Sequence, residues 1–289
     1  MSKKANNEEL LVFILTHGRA GKVVTYDTLR KQGWTGRVVF VIDDEDEQGD
    51  KYREIYGEEN VVAFNKAEIA ASFDEVIRGD RRTIVYARNA CFQLARELGY
   101  RYFIELDDDY EFFCFCYADG IPLVRTANTT SLDAIFNATL EYYKSIPQCK
   151  SIAFAQGGDF IGGPKAESHK LGLKRKAMNS FICDIERPFV FTGRINEDVN
   201  TYTMNATRGD LFFTIMQFSL NQKTTQKNAG GMTDVYLESG TYLKSFFSVI
   251  CCPSAVRVGV MGTRHIRLHH HINWKAVAPK LISEKYRKI

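Results

Sequence analysis

Short apolar runs along the chain give way, one after another, to acidic or glycine-bearing turns. Residues 10–15 are six apolar positions in a row, preceded by Glu8 and Glu9 and followed by Thr16-His17-Gly18-Arg19-Ala20-Gly21. A continuous run of that length predicts a strand buried on both faces, as in a parallel sheet, feeding a turn and then a helix to about Gln32. The turn is not a phosphate-binding P-loop, because Thr16 stands where the first Gly belongs and Val23 where Ser or Thr must reach a metal. Residues 37–42 repeat the pattern and end in Asp43, Asp44, Glu45 and Asp46, and residues 61–64 make a third strand. An acid at the carboxyl end of such a strand is placed to accept hydrogen bonds from a ribose or base, whereas Glu45 to Asp50 reads equally as a solvated acidic loop.

From Thr83 to Leu98 the residues Ile84, Ala87, Cys91, Leu94, Ala95 and Leu98 recur at helical spacing, with Gly99 as a stop, and the helix carries Arg88 and Asn89 on its other face. The strand that follows runs into three consecutive acids, Asp107, Asp108 and Asp109. Their mutual repulsion is relieved by separation, protonation or a cation, and a hard divalent cation bound together with substrate phosphates is the reading favoured over an acidic β-turn. Beyond them, residues 111–117 and 121–126 read as a β-hairpin about Asp119-Gly120, 132–146 as a helix, 151–155 as a buried strand, and 157–176 as a long irregular stretch. Asn196 is placed to cap a helix whose first turn holds Glu197 and Asp198; a strand over 211–218, a polar loop over 221–231 and a helix over 234–248 follow. These elements predict an α/β fold with a mixed, mostly parallel central sheet flanked by helices. We expect one domain over 1–289, with 1–110 as one half and 111–289 as the other, ending in a tail.

Composition adds little to that picture. A net charge of +3, from 38 basic and 35 acidic residues, does not by itself mark a nucleic-acid binder, so distribution must decide. Basic groups occur at Arg81-Arg82, Lys174-Arg175-Lys176, Lys223, Lys227, Arg264, Arg267 and over 280–288, each as readable as solubilising surface. Seven cysteines without a C-x-x-C pair predict reduced, mostly buried thiols and a cytosolic setting, and the apolar run near the start is too short for a signal peptide or membrane span. In His269-His270-His271 the alternation of an extended chain puts His269 and His271 on one face; one of them completing an Asp-bound metal stands beside the reading of a merely basic tail.

Tyr86-Ala87-Arg88-Asn89-Ala90, the triplet ending at Asp109, Asn196-Glu197-Asp198 and a carboxyl-terminal His resemble, in that order, the motifs of GT-A-fold, metal-dependent glycosyltransferases. Within that superfamily the Thr16-His17-Gly18-Arg19 opening and Gly193-Arg194-Ile195-Asn196-Glu197-Asp198 look like phage DNA-modifying enzymes of the TET-associated and beta-glucosyl-HMC-alpha-glucosyltransferase type. The resemblance implies a Rossmann-like half that holds a UDP-sugar through Thr16, His17, Gly18, Arg19, Asp43, Asp44, Arg88, Asp107 and Asp108. It implies Mn²⁺ or Mg²⁺ on Asp107 and Asp109, with His271 or His269 as third ligand. Asp198 would be the base and Glu197 its neighbour orienting acceptor or sugar, with direct displacement and inversion. Lys174, Arg175, Lys176 and Arg194 would meet a DNA acceptor in the cytoplasm, that of the host if the chain is phage-encoded, without a membrane or an obligate protein partner. A polysaccharide or protein acceptor, a metal-dependent nucleotidyltransferase and a non-catalytic DNA-binding relative remain as alternatives.

Overall fold

The computed structural model describes residues 8–76, 81–117, 124–160, 176–222, 232–262 and 266–279. The first apolar run forms β1 (Leu10–Leu15), every residue of which is buried. It lies between β2 (Val38–Asp43) and β4 (Tyr102–Asp107), parallel to both, and β3 (Val61–Phe64) extends the parallel half beyond β2. Because side chains alternate across a strand, β1 feeds two cores at once. Leu10, Val12 and Ile14 pack with Leu29, Tyr52, Phe136 and Leu140, contributed by α1 (Val24–Lys31), α2 (Gly49–Tyr56) and α5 (Leu132–Lys144). Leu11, Phe13 and Leu15 pack with Ala70, Tyr86, Cys91 and Tyr202, contributed by α3 (Lys66–Ser72), α4 (Val85–Glu97) and α6 (Glu197–Ala206). Each fully buried Leu, Ile or Phe in these layers contributes roughly 1.5–3 kcal/mol.

The remaining strands complete one mixed sheet in the order β3-β2-β1-β4-β8-β7-β9-β5-β6. These are β5 (Tyr110–Tyr117), β6 (Val124–Asn128), β7 (Cys149–Gln156), β8 (Ser180–Asp184) and β9 (Leu211–Gln222). β8 runs antiparallel to β4 and β7, β9 runs parallel to β7 and antiparallel to β5, and β5 pairs antiparallel with β6. The mixed, helix-flanked sheet is the architecture the sequence predicts. A long α7 (Met232–Cys251) packs on a separate two-stranded sheet, β10 (Val256–Met261) with β11 (Arg267–Ile272). All seven cysteines are free thiols, six of them buried. Among the described residues no helix is long and apolar enough to cross a membrane.

Several elements depart from the sequence reading. The acidic stretch after Glu45 is a turn as far as Gln48, but a helix without a sequence signal, α2, starts at Gly49, where Tyr52 turns inward and is fully buried among Tyr56 and Phe40. β8 was not foreseen, since Phe181 to Cys183 is too short a run to stand out until β4 and β7 offer it two antiparallel partners. β9 continues to Gln222, past Asn221 where a loop was expected to start. Asn196 does not cap its helix through its side chain. Its backbone is left-handed, at φ 53°, and its amide donates instead to Lys244 O and Ser248 Oγ of α7 at 2.7 and 3.1 Å.

One buried polar side chain joins the two halves of the sheet's tip. Gln32 donates from Nε2 to Phe113 O and Thr129 O, at 2.8 and 2.9 Å, and accepts from Phe113 N at 2.6 Å. Phe113 O keeps its bond from Thr129 N, so Gln32→Leu would strand two backbone groups, Phe113 N and Thr129 O, each costing about 1–3 kcal/mol; we expect a loss of about 2–4 kcal/mol in urea unfolding with an unchanged m-value.

Candidate active site

The acidic triplet sits where the parallel half of the sheet meets the antiparallel half. β4 ends at Asp107, Asp108 and Asp109 form the turn, and β5 begins at Tyr110. Thr25, at the start of α1, pins that turn: its hydroxyl donates to Asp107 O at 2.6 Å and accepts from Tyr110 N at 2.8 Å, and its N–H donates to Asp108 O at 3.1 Å. The three carboxylates are thereby sent in different directions.

Asp107 meets Arg88. The guanidinium, 1% exposed, lies 3.0 Å from Asp107 Oδ1, 3.3 Å from Glu197 Oε1 and 3.5 Å from Glu105 Oε2, with its carbon 4.7 Å from the centre of the Phe181 ring. Burial opposes its charge, but the fields of Asp107, Glu197 and Glu105 outweigh burial and raise its pKa. Burial pushes Glu105 up to about 8 and Asp107 up to about 7, against the pull of Arg88. The guanidinium for which the resemblance implies a donor-nucleotide contact is here engaged by these three carboxylates. It is a buried counter-ion joining β4 to the start of α6.

Asp108 is held by the opening loop. Thr16 Oγ1 donates to its Oδ2 at 2.8 Å and Arg19 Nη1 to its Oδ1 at 2.6 Å, while Tyr52 OH accepts from Arg19 N at 2.7 Å and lies 2.9 Å from Thr16 Oγ1. Gly18, at φ +65°, donates its N–H to Asp46 Oδ2 at 2.8 Å. Next to this loop Asp43 is bonded on both oxygens, by His17 Nδ1 at 2.8 Å and by Lys66 Nζ at 3.0 Å. Asp44 Oδ1 accepts from Lys66 N at 3.0 Å. Burial would raise the pKa of Asp43, but the hydrogen bonds from His17 and Lys66 bring it below the ordinary value. The bond to Asp43 raises that of His17, whose side chain remains 55% exposed. The structure thus gathers Thr16, His17, Gly18, Arg19, Asp43, Asp44 and Asp108 at one edge. It adds Tyr52 and Lys66, which carry no motif in the sequence to reveal them.

Asp109 differs from its neighbours. Its Oδ1 is buried without a hydrogen-bond partner, and burial together with Asp108 raises its pKa. An orphaned carboxylate oxygen beside two further acids suits a hard divalent cation, which takes oxygen ligands. Among the described residues, however, no three His, Cys, Asp or Glu side chains form a metal-binding group. The implied third ligands, His269 and His271, lie on β11 against α7, where the charged neighbours of His269 are Arg267 and Lys244. Burial takes His269 down to about 4 and His270 down to about 3, and His270 Nδ1 is buried without a partner. The histidine strand is thus set beside Arg267 and Lys244.

On the other side of Arg88, Glu197 and Asp198 open α6. Asp198 is 8% exposed and accepts from Val199 N at 2.7 Å; burial raises its pKa, while Arg88, Lys244 and Lys176 pull the other way. Glu197 is engaged by Arg88. Lys176 forms an ion pair with Asp159, and Arg194 is buried, so neither stands out as a surface cation for an acceptor. Lys174 and Arg175 lie outside the described residues.

The profile of the family described as TET-Associated Glycosyltransferase matches residues 10–231. The chain belongs to this family. The enzyme is thus a glycosyltransferase, and the matched span contains the opening loop, Arg88, the acidic triplet and Asp198. No curated protein sequence matches it. Among solved structures it is similar to glucosyl-3-phosphoglycerate synthase from Mycobacterium tuberculosis in complex with Mn²⁺, UDP and phosphoglyceric acid, at 9% identity and a TM-score of 0.46, over 91% of this chain and 86% of that one. It is also similar to the mannosyltransferase PcManGT from Pyrobaculum calidifontis in complex with GDP-Man and Mn²⁺, at 13% identity and a TM-score of 0.46, over 76% of this chain and 58% of that one.

Two outcomes test this geometry. Arg88→Met leaves three buried carboxyl groups without their counter-ion, which should cost about 3–5 kcal/mol at neutral pH. Raised folded-state pKa values stabilise fully only below the unfolded values and lose that contribution as pH rises, so the deficit should be larger at pH 8 than at pH 5 in urea unfolding. For His17, NMR titration should give a midpoint above 6.5 that falls back towards 6.5 in Asp43→Asn.

Proposed function

We propose that this glycosyltransferase moves a hexose, with glucose as first choice, from a UDP-sugar to a hydroxyl of a hydroxymethylated base in DNA, or of a sugar already attached to such a base. Support for the donor chemistry comes chiefly from the unpartnered, buried Oδ1 of Asp109 beside Asp107 and Asp108. Support for the DNA acceptor comes from the family description. Mn²⁺ or Mg²⁺ on Asp107 and Asp109 would supply Lewis-acid stabilisation of the departing diphosphate. The loop from Thr16 to Arg19, fixed by Asp108, and the Asp43–Asp44 edge would hold the nucleotide. There the half-exposed His17 ring and the Arg19 guanidinium offer donors to an anionic or carbonyl-bearing ligand.

Asp198 would accept the proton of the acceptor hydroxyl as that oxygen attacks the anomeric carbon. Its burial moves its pKa towards the working pH, where a base transfers protons most efficiently. Glu197, held by Arg88, would fix the helix start that carries Asp198. A single base of this kind supports inversion at the anomeric carbon. The whole chain would work as one unit, because strands from both sequence halves share one sheet.

The deciding assay offers UDP-glucose, Mn²⁺ and hydroxymethylcytosine-containing DNA, with mass spectrometry and NMR of the digested nucleosides. We expect one added hexose in the β configuration from the α donor, loss of transfer with EDTA, and its return with Mn²⁺. Asp109→Ala should abolish transfer, and Asp198→Asn should lower kcat by about 10²–10⁴ with little change in donor KM. Retention of the α configuration would overturn the role of Asp198; release of UDP without a modified base would overturn the DNA acceptor.

A further inference from the structure

The chain is nearly neutral overall, yet its acids are unevenly spread. Residues 239–283 contain no Asp or Glu, although the chain has 35 in 289 residues. The same span holds Lys244, Arg257, Arg264, Arg267, Lys275 and Lys280. In the structure the span is the later part of α7 together with β10 and β11, Asp234 and Glu238 lying in the first turns of the helix before it; α7 packs against both strands, and Tyr202 of α6 stacks on Trp274 just beyond β11, 5.8 Å between ring centres. Arg257, Arg267 and Lys275 are exposed, and among the described residues none of them is in an ion pair.

The unit is also unusually apolar where it meets solvent. Tyr242, Phe246 and Ile250 stand exposed at successive helical turns of α7, and Val260 and Ile266 at the end of the β10–β11 hairpin. Tyr242 is 63% exposed, and its ring centre lies 4.6 Å from that of Phe246. Lone exposed apolar residues need no explanation, but an aromatic pair that opens a stretch carrying cations and no acids, residues 239–283, does. Cations that meet phosphates, joined to rings that accept the flat face of a base, are the chemistry by which proteins hold single-stranded nucleic acid. The unit is continuous with the carboxylates of α6, because Lys244 faces Asp198 and Glu197.

We infer that the α7–β10–β11 unit is a nucleic-acid-binding surface, with Arg257, Arg267 and Lys275 on the phosphates and an unpaired base against the Tyr242–Phe246 pair. This deepens, and in that respect rests on, the reading of DNA as acceptor. The surface would hold the strand on the side of Asp198, so that a base drawn out of its stack reaches that carboxylate.

The test uses the full chain and a fluorescein-labelled, unmodified single strand of roughly 20 nucleotides, long enough to fill a site of this kind. Polarisation is read across a salt series. The triple variant Arg257→Ala/Arg267→Ala/Lys275→Ala should bind about tenfold or more weakly, with a log–log salt slope shallower by about 2. Tyr242→Ala/Phe246→Ala should bind about tenfold more weakly with the slope unchanged, since stacking releases no counter-ions. Both sets replace exposed side chains, and unchanged thermal midpoints would confirm folding. No binding by the wild type, or variants that bind like it, would overturn the inference. So would wild-type binding to phosphatidylserine–phosphatidylcholine vesicles, but not to the strand, that is lost in the variants. DNA binding lost in the variants, with no transfer to any DNA by the wild type, would sink the acceptor reading and leave this surface standing. Transfer to hydroxymethylated DNA that survives both variants unchanged would do the reverse.

Discussion

A single buried guanidinium holds the candidate site together. Arg88, contributed by α4, touches Asp107 and Glu105 of β4 and Glu197 of α6, so the strand that ends in the acidic triplet and the helix that begins with Asp198 meet on one charge. Three carboxyl groups in a site this dry would be intolerable alone, and one isolated arginine there would be equally so. Neither the triplet nor the α6 start is therefore free to shift without the other. Arg suits this role better than Lys because its planar fork offers several donors at fixed angles and lies flat on an aromatic face, here that of Phe181.

That constraint explains how three adjacent acids coexist. Their repulsion is relieved by separation: Asp107 turns to Arg88, Asp108 to Thr16 and Arg19, and Asp109 is left with a buried oxygen that no protein group satisfies. Thr25 makes the divergence possible by bonding the backbone on both sides of the turn. The central acid thus serves the architecture of the opening loop, while the outer two are the ones whose chemistry is suited to a cation.

Across the site the electrostatics reverse. Lys244, Lys176, Arg267 and three histidines lie around the α6–α7–β11 region, and burial holds His269 and His270 neutral at physiological pH. A cationic side thus faces a buried carboxylate whose pKa burial raises, so the field changes sign across the start of α6.

The apolar runs and their polar boundaries determined much of this protein. β1, β2 and β4 are buried strands because a run that is almost wholly apolar satisfies its environment only between two helical layers, the buried Glu105 of β4 being met by Arg88. The adjacency of Asp107, Asp108 and Asp109 was equally plain, as was the helix opened by Glu197 and Asp198. What each side chain faces was decided by tertiary structure. Arg88 reads only as a guanidinium on the other face of its helix until the three carboxylates, 17 to 109 positions away, close over it. His269 and His271 read equally as metal ligand or basic tail, and their neighbours were set only when β11 paired with β10 and packed on α7. Tyr52 and Lys66 do not register at all until α2 and α3 fold back onto the opening loop and Asp43. Burial and strand position follow from local composition, whereas charge partners follow from which distant segments the sheet order makes neighbours, and no local pattern encodes that order.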